Sequence, residues 1–279
     1  MELFETAAAM RAWADAQIKG GHRVVLVPTM GYLHEGHLSL VEEARRHGDR
    51  VVVSIFVNPT QFGPQEDLDT YPRDLAGDLA KLQGVHAVFA PRPDTMYPPG
   101  FDTYVVPHER EARLCGAGRP DHFRGVCTVV LLLFQITRCH AGIFGQKDFQ
   151  QLQIIRGMVK DLWLDVEIIG MPTVREPDGL AMSSRNAYLS PEERDRALVI
   201  SRTLDWMASA VASGRRDLAS LAQEGRERIG QVAGVALEYL EIVEPYSLQP
   251  AETLGDRGAV CAVAARVGAT RLIDNRELG

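Results

Sequence analysis

The amino-acid sequence predicts an α/β protein: a doubly wound parallel-sheet domain over residues 1–174, then a smaller α+β domain over residues 175–279. Three observations carry this. Short apolar runs rich in β-branched residues alternate with helical patterns through the first half. Those runs are continuous rather than alternating, as strands covered on both faces are. Beyond about residue 174 the order changes to helices followed by strands.

Arg23–Val27 is the first such run. From His37 to His47, Leu38, Val41 and Ala44 recur at helical spacing, and Gly48 supplies a stop. Val51–Val57 is a second strand, so these segments form a βαβ unit with parallel strands and a right-handed crossover. Strands follow at His86–Ala90, Ala141–Phe144 and Val166–Ile169, with a helix from about Lys147 to Trp163. In the second domain, Ser190-Pro191-Glu192-Glu193 reads as a capping box with proline at the first helical position. It opens a long helix to about Ala212, ended by Gly214. A second helix spans Asp217–Val232, and Leu237–Val243 and Ala259–Ala265 read as strands.

Composition narrows the function. A net charge of −7 and a pI near 5.6 argue against a nucleic-acid partner, whose binder would carry a basic surface. A small anion needs only local positive charge. With only four lysines (Lys19, Lys81, Lys147 and Lys160), a lysine inside a motif stands out. No two of Cys115, Cys127, Cys139 and Cys261 are close enough for a zinc or redox motif, and they read as reduced, buried thiols. The first residues lack a signal peptide's features, and the longest apolar stretch, Val126–Phe134, falls short of the roughly 18 residues that span a bilayer. The expectation is a cytoplasmic protein with no membrane partner.

In open parallel sheets, ligands bind beyond the carboxyl ends of the strands. Four polar segments lie just past predicted strands: Pro28–His37, Asn58–Phe62, Gly145–Asp148 and Pro172–Arg175. His34 and His37 stand at a helix start, where backbone N–H groups and the helix dipole favour phosphate. Taken alone they also read as surface histidines. Lys147 at a helix start opposes the dipole unless an anion lies between them, and Asp148 is placed to accept from a ribose hydroxyl. Met182-Ser183-Ser184-Arg185-Asn186 offers two hydroxyls and a guanidinium to a pyrophosphate, or is an ordinary polar turn. Neither a P-loop nor a dinucleotide fingerprint is present.

His34-Glu35-Gly36-His37 paired with the Met182–Arg185 loop resembles the nucleotidylyltransferase superfamily. The longer string is more specific. Pro28–His37, Ser54–Pro59, Tyr71-Pro72-Arg73, His122–Val126, Lys147–Gln151 and Met182–Asn186 together resemble the pantothenate synthetase family. Gln146, Thr60, Lys81 and Leu132 depart from that family's usual residues. The resemblance implies a Rossmann-like first domain that binds ATP and pantoate, with residues 175–279 as a lid. It implies that His34 and His37 contact the ATP phosphates, with Lys147, Ser183, Ser184 and Arg185 holding the triphosphate. Met30, Met182 and Val174 would line the nucleotide site, and Gly145 and Asp148 would bind ribose. Gln61 and Gln151 would hold pantoate, with Arg119 at the mouth of the site, and Asp78 would help place Mg2+, directly or through water. The implied reaction joins pantoate to β-alanine through an acyl-adenylate, in a homodimer. The alternative is a nucleotidylyltransferase acting on a phosphorylated substrate. The paired amides and the Tyr71-Pro72-Arg73 loop argue against it.

Overall fold

The computed structural model describes residues 1–64 and 66–279. The chain divides into two compact units. The first comprises Met1–His108, Arg119–Gln146 and Ile154–Pro172. Its sheet is built from β1 (Glu2–Phe4), β2 (Val24–Thr29), β3 (Arg50–Ile55), β4 (Ala87–Phe89), β5 (Ala141–Gly145) and β6 (Glu167–Met171). The order is β1-β4-β3-β2-β5-β6, and every pairing is parallel. Val24–Val27 and Val51–Val53 are fully buried, as strands covered on both faces must be. On one face, Leu40, Val41 and Ala44 of the helix Glu35–His47 pack with Val25, Val27, Val51, Val53 and Ile143.

The order turns at β2. From there β3 and β4 run to one side, and β5 and β6 to the other. The β2/β5 junction is therefore the topological switch point, where such sheets bind ligands. The four predicted polar segments follow β3, β2, β5 and β6, which are consecutive neighbours in the sheet.

Two helices, Ala7–Lys19 and His122–Thr137, lie where the sequence reading assigns no element. The second contains the apolar run Val126–Phe134 and is buried along most of its 16 residues. Among the described residues, no helix is long and apolar enough to cross a membrane. All four cysteines are buried, and burial pushes the Cys139 thiol up to about 12.

The second unit comprises Thr173–Gly279 together with Glu109–Gly118 and Lys147–Gln153. Its sheet is antiparallel, in the order β7 (Val235–Val243), β8 (Ala259–Val267), β9 (Thr270–Leu278). The helices Pro191–Ala212 and Leu218–Gly230 pack against it through Leu204, Met207, Leu221 and Ile229. The capping box forms: Glu193 N–H donates to Ser190 Oγ (3.2 Å), and Ser190 N–H donates to Glu193 Oε2 (2.9 Å). The two earlier segments are tied to each other by Gln150, whose Nε2 donates to the carbonyls of Arg110 (2.8 Å) and Arg113 (2.7 Å), and to β9 by Asn275, whose Nδ2 donates to the Lys147 carbonyl (2.9 Å). No local pattern in the sequence signals that exchange. β9 also escaped the sequence reading, because the buried Asp274 and Asn275 interrupt its apolar pattern.

Candidate active site

In the first unit, β2 ends at Thr29 and the chain turns sharply at Gly31 and Tyr32, both with positive φ. Gly31 is required twice over: its φ is +86°, and a Cβ there would stand 3.0 Å from Asp78 Oδ2 and 3.1 Å from Ile55 Cγ2. The helix Glu35–His47 begins immediately afterwards, with His34 as its N-cap. Gly36 N–H donates to His34 Nδ1 (3.2 Å), and His34 N–H donates to His37 Nδ1 (3.3 Å). The rings lie 4.1 Å apart between centroids. Because both Nδ1 atoms accept from backbone N–H groups, the proton of each neutral ring belongs on Nε2.

Asp78 was expected to help place magnesium. Its carboxylate also braces the chain. The residue is 1% exposed, and its carboxylate accepts from the N–H groups of Tyr32 (2.8 Å) and Leu33 (2.7 Å). It holds the strained turn in front of the histidines, each oxygen accepting one backbone hydrogen bond. Among the described residues, no group of three or more His, Cys, Asp or Glu is placed to hold a metal ion.

The turn Pro59–Gln61 follows β3. Asn58 caps it and is 1% exposed. Its Oδ1 accepts from Tyr97 OH (2.7 Å) and Thr60 Oγ1 (3.0 Å), and its Nδ2 donates to the Gly125 carbonyl (3.1 Å) and to Gln61 Oε1 (3.0 Å). The Gly125 carbonyl can only accept, so the Asn58 amide has one orientation, and Gln61 in turn must point its Oε1 at Asn58. The Nε2 of Gln61 then lies on the other side, 3.3 Å from Met30 Sδ. Gln61 is therefore presented as a hydrogen-bond donor. Burial pushes the Tyr97 phenol up to about 12, so it stays protonated and donating at neutral pH.

Arg119 was expected at the mouth of the site. Its Nε and Nη2 each lie 2.6 Å from Glu66 carboxylate oxygens, and its Nη1 lies 3.0 Å from His122 Nε2. His122 Nδ1 donates to the Gln61 carbonyl (2.8 Å). Arg119 Nη2 also donates to the Gln61 carbonyl (3.4 Å), so Arg119 holds the Gln61 turn both directly and through His122. Burial alone would raise the Glu66 pKa, but the hydrogen bond and charge of Arg119 outweigh it and hold the carboxyl below its usual range. A cleft of about 460 Å³ adjoins the same turn, lined by Pro59, Thr60, Tyr97, Phe101 and Tyr104 among others. None of the expected site residues lines it.

Gly145 is the last residue of β5. The predicted helix at Lys147 begins instead at Phe149, after a 3-10 turn over Gln146–Asp148. Lys147 Nζ lies 3.7 Å from Asp148 Oδ2, and Gln151 is in the first turn of that helix. In the second unit, Met182 N–H donates to the Val174 carbonyl (3.0 Å), closing a loop from which Ser183–Arg185 emerges. Ser183 Oγ accepts from Arg185 N–H (3.3 Å), capping the turn Ser184–Tyr188. Sequence reasoning missed Glu66, Tyr97 and the β9 pair Asp274–Asn275. Asn58 and His122 lie inside strings that carried the resemblance, but without a role.

The sequence model of one family, pantoate-beta-alanine ligase, matches residues 2–277. The chain belongs to this family. A pantothenate synthetase of Myxococcus xanthus is 52% identical over 281 residues, covering 99% of this chain and 96% of that protein. The crystal structure of pantothenate synthetase from Thermus thermophilus superposes with a TM-score of 0.93 at 48% identity, covering 99% of each chain. Pantoate-beta-alanine ligase from Francisella tularensis, solved with β,γ-ATP and β-alanine, superposes with a TM-score of 0.81 at 34% identity, covering 99% of this chain and 97% of that one. As a member of the pantoate-beta-alanine ligase family, the chain falls to the ligase reading rather than to the nucleotidylyltransferase alternative.

Proposed function

We propose that the protein condenses pantoate with β-alanine at the expense of ATP, through a pantoyl-adenylate, releasing pyrophosphate and then AMP. Beyond family membership, one observation carries this. His34 and His37 commit Nδ1 to the backbone at a helix start beside the switch point, which puts Nε2–H donors where the dipole already favours phosphate. A pantoate carboxylate oxygen attacks the α-phosphorus and pyrophosphate leaves. The β-alanine amine then attacks the acyl carbon and AMP leaves. Both steps shift negative charge onto phosphate oxygens, so positioned donors supply the catalysis without a nucleophilic side chain.

In this reading His34, His37, Lys147, Ser183, Ser184 and Arg185 stabilise the phosphates. Gly145 and Asp148 take the ribose, and Met30, Val174 and Met182 the rest of the nucleotide. Gln61 donates to pantoate, with Gln151 as its second amide. Arg119 serves the pantoate site by holding the Gln61 turn. Asp78 helps place Mg2+, directly or through water, because each of its oxygens accepts one backbone hydrogen bond and keeps a lone pair; the ion is held chiefly by the phosphate oxygens of ATP. The proposal also gives residues 1–174 the binding of ATP and pantoate, residues 175–279 the part of a lid, and the protein a cytoplasmic homodimer.

The test is isotope exchange. With ATP, Mg2+ and pantoate alone, labelled pyrophosphate should exchange into ATP without β-alanine. An enzyme that makes pantothenate but shows no such exchange lacks a free-standing adenylate step, and the mechanism is then wrong. A nucleotide sensor would release no AMP.

A further inference from the structure

We propose that Asp274 and Asn275 on β9 are positioning residues that set the phosphate contacts of Lys147 and of Ser183–Arg185. The inference rests on the function proposed above. Asn275 is 5% exposed, and its Nδ2 donates to the Lys147 carbonyl at 2.9 Å. A carbonyl can only accept, so the amide is held in one orientation and pins the backbone that carries the lysine. Asp274 is 4% exposed and meets Arg175 with both oxygens, at 2.7 and 2.9 Å. Arg175 also donates to the carbonyls of Gly179 (3.1 Å) and Asn275 (3.4 Å). It therefore fixes the loop closed by the bond from Met182 N–H to the Val174 carbonyl, immediately before Ser183–Arg185. Within the pair, Asn275 N–H donates to Asp274 Oδ1 (2.7 Å). β9 also packs against the turn Ser184–Tyr188.

Two segments far apart in sequence, 147 and 183–185, thus hang from two adjacent residues near the chain's end. Buried polar side chains cost stability unless fully bonded, and apolar residues would satisfy a strand core more cheaply. A site that stabilises moving charge needs its groups held to within about 0.5 Å. Position is what this polar pair supplies and an apolar pair would not.

The test uses the full-length enzyme with Asn275→Ala, Asn275→Asp and Asp274→Asn, measuring the KM for ATP and for pantoate separately, together with Tm. Outer partners that orient metal ligands are typically worth about 10–100-fold, and the same order is expected of partners that orient phosphate contacts. Asn275→Ala should lower kcat/KM for ATP by about that factor, with the pantoate KM unchanged within about twofold. Asn275→Asp keeps the size but sets an oxygen against the Lys147 carbonyl, and should lose at least as much. Asp274→Asn should show the same ATP-selective loss. Losses shared equally by both substrates, or a fall in Tm with an unchanged ATP KM, would mean that the pair only holds the fold together, and the inference is then overturned while the ligase reading stands. A wild-type enzyme without pantoate-dependent pyrophosphate exchange overturns both.

Discussion

His34 is an uncommon choice of N-cap, since Ser, Thr, Asn and Asp fill that position best. The imidazole has two jobs in the proposed function: Nδ1 caps the helix, and the ring donates to phosphate through Nε2–H. The two jobs separate by substitution. His34→Ala loses the cap, worth about 1 kcal/mol, as well as the ring. His34→Asn keeps a good cap and loses only the imidazole. The expected outcome is that His34→Asn melts within a few degrees of wild type, while adenylate formation, followed by AMP release, slows about 10²–10³-fold. Near-normal turnover in His34→Asn would remove the phosphate role. From spacing alone, two histidines three apart were equally readable as surface residues. The capping geometry that distinguishes them depends on the turn at Gly31 and Tyr32, which Asp78 holds from 45 and more residues away.

The helix His122–Thr137 and the turn Pro59–Gln61 meet backbone to backbone. A Cβ on Gly125 would lie 2.4 Å from the Thr60 carbonyl oxygen and 2.7 Å from the Gln61 nitrogen. No rotamer change relieves such a clash, because the obstructing atoms are backbone. Gly125→Ala should therefore push the turn away, weaken the Asn58 bond to the Gly125 carbonyl, and tilt Gln61. Overpacking of this kind costs about 1–3 kcal/mol. Separate titrations should find the pantoate KM raised about tenfold and the ATP KM little changed; a change in ATP KM alone would break the link between this contact and pantoate. The sequence offered Gly125 only as part of a string carrying a resemblance, since nothing local says what a helix glycine must approach.

For the folded molecule, acid should act through carboxylates whose pKa values are held down, and Glu66 is the most informative. Its folded value lies below the ordinary 4.5 because of Arg119, so its contribution to stability is fully present above about pH 4.5 and is lost as the pH falls through the lowered value. The difference in Tm between wild type and Glu66→Gln should be constant from about pH 7 to 5 and shrink below about pH 4. A difference that persists unchanged at pH 3 would show that the pair with Arg119 contributes no linked stability.

The sequence by itself determined the parallel β/α first half, the capping box at Ser190 and the family. Each follows from local periodicity, cap chemistry or a run of identities that no fold needs to explain. It also placed four polar segments past the right strands, β3, β2, β5 and β6, which are consecutive in the sheet. Tertiary structure alone decided what those residues are held by. Asp78 became a brace for the histidine turn, Arg119 a partner of Glu66, and Gln61 a donor of fixed orientation. Lys147 and its neighbours joined the unit built mainly from Thr173–Gly279, and β9 emerged despite its polar centre. The reason is physical. Local propensity acts over a few residues, whereas a hydrogen bond such as Asn275 to Lys147 spans 128 positions and exists only once the chain has closed.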